Sequence, residues 1–104
     1  MNEKNKILVK VHQAYRDVVA VSDKNLIGKK FEDGNLQLEV NEHFFKGDEM
    51  HESDVIEFLN EKLEDDACFN FVGELSVEIG IKAGIINQNN VIRIQNIPHA
   101  IVLL

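Results

Sequence analysis

Two apolar runs near the amino end decide most of what this chain can become. In KILVKVH, residues 6 to 12, Ile7, Val9 and Val11 alternate with Lys6, Leu8, Lys10 and His12, the period of a strand with one largely apolar face. The β-branched run DVVAVSD at 17 to 23 follows after only the polar turn QAYR, so the pair predicts a hairpin. A third strand is expected at 35 to 40, where Leu36, Leu38 and Val40 share a face after the turn signal EDGN. A chain of 104 residues that opens this way is one domain, 1–104, large enough to bury roughly 65% of its unfolded surface without disulfides or metals.

The middle of the chain changes period. ESDVIEFLNEKLEDD predicts a helix capped by Ser53, with Asp54 at the positive end of the helix dipole and Ile56, Leu59 and Leu63 as its buried stripe. Glu64, Asp65 and Asp66 sit where the dipole disfavours anions, so the helix should stop there. The segment 73 to 86 fits two templates. Leu75, Val77, Ile79 and Ile81 alternate as in a strand, while Val72, Leu75, Ile79 and Ala83 form a helical stripe. Gly84 followed by Ile85 has the form of a helix C-cap, but the alternation tips the pattern toward strand. The polar NQNN at 87 to 90 then separates it from a strand at 91 to 97, and AIVLL is a short strand or an apolar tail.

Charge is distributed unevenly. The formal net charge is −7, which opposes a phosphate-bearing partner. Yet residues 1 to 30 hold seven Lys or Arg against three acids, residues 80 to 104 hold Lys82 and Arg93 and no acid, and residues 31 to 79 hold fifteen acids against two cations. If the two ends meet in one sheet, a cationic region appears on an acidic protein. The lone Cys68 supplies neither a disulfide nor a zinc site and reads as a small core residue in a reducing, cytoplasmic setting. No stretch approaches the roughly 20 apolar residues of a membrane helix, and the amino end is not a signal peptide.

Four blocks, VAVSDKNLIGKKFEDG, FFKG, NFVGELSVEIGIKAGII and NVIRIQNIPHA, in that order, resemble the small archaeal family known as domain of unknown function 424. The resemblance spans about residues 7 to 102. Members are described as uncharacterised or as candidate RNA-binding proteins with a two-layer α/β sandwich. It implies that the ambiguous segment after Asn70 is a helix. Ser22 stands where many relatives carry a cysteine and Phe45 where a tyrosine is frequent, so no thiolate mechanism is expected at 22. The expected fold is therefore α+β: a mixed sheet of four to five strands, the first three consecutive, with two helices on one face and the last strand returning beside the first ones.

Several residues are candidates for a working site. His99 follows the chain's only proline, and an imidazole titrates near neutrality and serves as acid, base, ligand or stacking partner. Pro98 fixes its own backbone and keeps Ile97 extended, which positions the histidine. Asp23 and Gly28 suit a turn, with Lys24, Lys29 and Lys30 projecting from the loop. Asn70 is a helix-cap candidate, and Gly73 permits a close approach of backbone or ligand beside helix N–H groups that would suit an anion. The histidines and acids between 43 and 54 match no metal spacing. Tyr15 and Arg16 are a weak stacking candidate.

Two functions are consistent with these residues. One is a non-catalytic module for RNA or the translation apparatus, using Lys24, Lys29, Lys30, Arg93 and His99, with Lys6 and Lys10 beside them. The other is a small enzyme or ligand-binding protein, with His99 as base oriented by Asp23 near a pocket by Asn70 and Gly73. An acidic helix over 54 to 65 that docks a basic protein is a third option. No cofactor or membrane partner is expected, and the chain should be a monomer or weak homodimer.

Overall fold

The computed structural model describes residues 6–103, so the amino-terminal MNEKN and Leu104 of the apolar tail lie outside the described residues. Strand β1 (Ile7–His12) pairs antiparallel with β2 (Val18–Asp23), as the alternation requires. Strands β3 (Lys30–Asp33) and β4 (Leu36–Glu39) form a separate two-stranded sheet. They are followed by a short helix α1 (Glu42–Phe45) and strand β5 (Asp48–Met50). Helix α2 (Glu52–Glu64) leads to strand β6 (Cys68–Val72) and helix α3 (Glu74–Lys82). Strands β7 (Ile92–Ile94) and β8 (Ile97–Val102) close the chain.

The main sheet has six strands in the order β5-β1-β2-β6-β8-β7. It is mixed, because β2 and β6 run parallel while the other pairs are antiparallel. The α+β class, the mixed sheet and the two helices packed on one face agree with the sequence reading; the main sheet has six strands and a second, two-stranded sheet stands beside it. The sheet is wider than four to five strands, since the acidic β5 and the buried β6 both join it. Nor are the first three strands consecutive in it: hydrogen bonds from Gly28 N to Val40 O and from Val40 N to Lys29 O fold residues 28 to 40 back on themselves.

Each face carries its own core. Alternation sends Val9, Val19, Val21, Phe69 and Phe71 to one side, where α2 and α3 pack through Val55, Leu59, Val77 and Ile79. It sends Ala20 and Val72 to the other, where Leu26, Leu38, Val40 and Phe45 cover them. The β3–β4 hairpin and α1 thus form a partial third layer. Helix α2 starts one residue before Ser53, with His51 at the cap and no side-chain capping bond, and stops at Glu64, the first residue of its acidic run. The ambiguous segment is helix α3, and Gly84 follows it at φ 79° as a C-terminal glycine should. β8 lies inside the sheet, between β6 and β7.

Candidate binding surface

The parallel pairing of β2 and β6 brings the end of β2 against the start of α3. There the Asp23 side chain does the work of a helix cap from 53 residues away: Oδ1 accepts from Ser76 N and from Ser76 Oγ, each at 2.8 Å, and Oδ2 accepts from Leu75 N at 3.1 Å. A buried carboxylate in this position satisfies otherwise orphaned N–H groups and complements the helix dipole. Two expectations are corrected here. Asn70 does not cap the helix, because Gly73 occupies the cap position and its own side chain is absent. Gly73 makes its close approach to Asp23 rather than to a ligand, and the helix N-terminus already holds an internal anion.

Asn70 instead faces His99 across the β6–β8 ladder. His99 Nε2 donates to Asn70 Oδ1 at 3.0 Å. With Nε2 carrying the proton, the neutral ring leaves Nδ1 as an acceptor and Asn70 Nδ2 as a donor. Burial pushes the His99 pKa below the ordinary histidine value, which keeps the ring neutral at pH 7. The pair lies on the sheet face opposite α2 and α3. One cross-strand row there reads Lys10, Ala20, Asn70, Ile101, and the next reads Leu8, Ser22, Val72, His99, Ile92. Ile92 and Ile101, beside the pair, are about half exposed, so this part of the face is open.

Pro98 places the histidine without loss to the sheet. Gln95 and Asn96, at φ 50° and 69°, make the two-residue turn between β7 and β8. In such a hairpin the closing pair, Ile94 and Ile97, exchanges ladder bonds, and the next pair, Arg93 and Pro98, exchanges none. The missing N–H of Pro98 therefore costs no bond to β7. Its carbonyl accepts from Gly73 N at 2.9 Å, which ties β8 to the start of α3.

The predicted dyad between Asp23 and His99 is not formed, since both side chains have other partners. The open cleft of about 700 Å³ beside Asp23 is lined by Lys6, Lys24, Asn25, Glu74 and Leu75, with neither His99 nor Asn70 in its wall. The predicted cations also separate. Lys24 binds Glu49 of β5 at 2.6 Å on one border of the sheet. Arg93 on β7, at the other border, binds Glu74 at 2.8 Å and the Asn96 carbonyl at 3.0 Å. The Arg93 hydrogen bond holds the Glu74 carboxyl below its ordinary range. Lys29 and Lys30 are exposed on the layer that covers the His99 face and have no ion-pair partner among the described residues.

Other candidates are quickly placed. Tyr15 is fully exposed at the tip of the first hairpin, Cys68 is half-buried at the start of β6, and Asp54, Glu57, Glu61 and Glu64 lie on the solvent side of α2. No cluster of metal-ligating side chains occurs among the described residues, and none of their helices is long and apolar enough to cross a membrane. Sequence reasoning missed Ser76, which shares Asp23 with the backbone, and Gln95, whose Oε1 accepts from Glu32 N at 3.1 Å and pins the β7–β8 turn to β3.

Comparison with solved structures finds this arrangement elsewhere. An uncharacterized conserved protein from Methanopyrus kandleri superposes with a TM-score of 0.82 at 20% sequence identity, covering 92% of this chain and 89% of that one. The likeness is one of fold. No curated protein matches the sequence. The family model described as "Protein of unknown function (DUF424)" matches residues 11–104, which takes in the Asp23 cap, the Asn70–His99 pair and both loop lysines, and the chain belongs to that family.

Proposed function

We propose that the protein is a non-catalytic RNA-binding module that receives single-stranded RNA on the open part of the sheet face around His99 and Asn70. The observation that carries this reading is the polar pair itself: a donor and an acceptor stand part-exposed beside the half-exposed Ile92 and Ile101 on this sheet face. Flat sheet faces with a few polar groups suit unstacked bases, which offer both a planar surface and hydrogen-bonding edges. Lys29 and Lys30, without an ion-pair partner among the described residues, supply phosphate contacts from the neighbouring layer, whereas Lys24 and Arg93 are engaged with Glu49 and Glu74 and contribute less. Nothing in this reading asks for a nucleophile or a general base, in keeping with the different partners of Asp23 and His99.

The test is a titration with single-stranded oligoribonucleotides at several salt concentrations. Affinity should fall steeply with salt, and Lys29→Ala/Lys30→Ala should reduce the slope of log K against log salt by about 1.4, two single-strand phosphate contacts. His99→Ala should weaken binding without changing that slope. Absence of binding at low salt, or a slope untouched by the lysine changes, overturns the assignment.

A further inference from the structure

The two borders of the six-stranded sheet are guarded differently. At one border β5 is three residues long, carries Asp48 and Glu49, and has Lys24 clamped across it. Short, charged strands of this kind discourage pairing with other chains. At the opposite border β7 covers only half of β8. It pairs with Ile97, Pro98 and His99, and among the described residues no strand lies beyond Ala100, Ile101 and Val102 on that side.

The direction of the backbone groups follows from the ladder. Pro98 O accepts from Gly73 N on the β6 side, so the groups of Ala100 and Val102, two and four residues on, also point at β6, where they face Phe71 and Phe69. Those of Ile101, and of Leu103 beyond the strand, point outward. Neither residue takes part in a turn or loop backbone bond among the described residues. The side chains are exposed as well: Ile101 by 52%, Leu103 by 76% and Ile92, at the corner, by 49%. From residue 80 onward the chain has no acid, and its two cations are already held by Glu52 and Glu74.

We propose that this border pairs with the same border of a second copy of the chain, two β8 strands running antiparallel about a two-fold axis at Val102. The register is dictated by β7. Setting Ile101 opposite its own copy would place Leu103 opposite His99, whose outward groups already serve Ile92. Moving the axis to Val102 sets Ile101 of each copy against Leu103 of the other. Two such pairs supply four main-chain hydrogen bonds and stack the exposed side chains across the junction. An isologous contact of this kind needs no further surface.

Charge favours a copy as the occupant. The whole chain carries −7 and its copies repel in general, but at this border they meet apolar against apolar, with Arg93 of β7 already held by Glu74. Three apolar side chains and one short strand per copy fall short of the roughly 1,600 Å² of a standard interface, so the association is weak and depends on concentration. Salt, by screening the repulsion between the acidic bodies, strengthens it. That dependence is opposite in sign to the one expected for RNA.

Sedimentation equilibrium of the full chain from about 10 μM to about 1 mM tests the pairing. The mass should climb from 11.8 kDa toward twice that value, at lower concentration when salt is raised. Leu103→Pro removes an outward N–H that serves no bond within the monomer, and Ile101→Lys puts a charge on the edge. Each should weaken association at least tenfold with the far-ultraviolet circular dichroism and melting temperature unchanged. A mass fixed at 11.8 kDa throughout overturns the proposal. So does a dimer that survives both changes, or one lost in Ile101→Lys but untouched by Leu103→Pro, which would show contact without strand pairing.

Discussion

A Cβ placed on Gly73 would stand 2.5 and 2.6 Å from the two carboxylate oxygens of Asp23, and Gly73 itself holds φ at 108°. The glycine therefore makes room for the carboxylate and supplies a backbone conformation that other residues reach only under strain. Asp23→Ala strands buried N–H groups at the start of α3 and should cost about 2–3 kcal/mol in urea unfolding. Gly73→Ala should cost at least about 2 kcal/mol. Because Asp23→Ala removes the atoms that the new methyl would strike, the double variant should lose less than the sum of the two. Strict additivity in the cycle would refute the packing account.

His99 gives the fold a pH dependence with a definite sign. Burial lowers its pKa in the folded chain below the unfolded value, so the unfolded chain binds protons first. The contribution is present above about pH 6.5 and is lost as pH falls from there toward the depressed folded value. Melting temperature should drop between pH 7 and pH 5, and His99→Gln, which keeps a donor for Asn70, should flatten that part of the curve. An unchanged slope in the variant would assign the effect to other groups.

Asn96 sits at φ 69° in the second position of the two-residue turn, where glycine is favoured. Asn96→Gly should stabilise the protein by about 0.5 kcal/mol, seen as a higher urea midpoint with unchanged m. Gln95→Gly is a different experiment. It relieves φ 50° but removes the acceptor for Glu32 N, so its gain should be smaller than that of Asn96→Gly.

Gly47 lies where β5 turns onto β1, and a Cβ there would run into the Val9 carbonyl and stand 2.9 Å from Lys10 Cα. Backbone cannot yield as a side-chain tip does. Gly47→Ala should lift β5 from β1 at a cost of about 2 kcal/mol and, by exposing the β1 edge, increase aggregation on heating, measured by light scattering.

The parts of this fold that could be read in advance are those whose signal is local. Ile7, Val9 and Val11 alternate and form one face of β1; Ile56, Leu59 and Leu63 repeat at helical spacing and lie in α2. What escaped was set by distant partners. The acidic DEM of β5 is a strand because β1 offers it a ladder, against its own propensity. The strand CFNFV was not foreseen, although Phe69 and Phe71 alternate around Asn70, because five residues without a turn signal announce little. The 74 to 82 segment alternates like a strand, and the feature that makes it a helix, the Asp23 carboxylate, lies 53 residues away. His99 was found by type, but its partner Asn70 was assigned to a helix cap, since spacing does not reveal which side chains share a sheet face.

The Asp23 link also bears on how the molecule comes apart. Helix ends ordinarily fray, and their first amides open without disturbing the rest. Here the amides of Leu75 and Ser76 are gripped by a side chain at the end of β2, whose Val19, Ala20 and Val21 are sealed from solvent. Their deuterium uptake should accordingly track that of the central strands rather than that of the far end of the same helix, making α3 a helix that unwinds only from its carboxyl-terminal side.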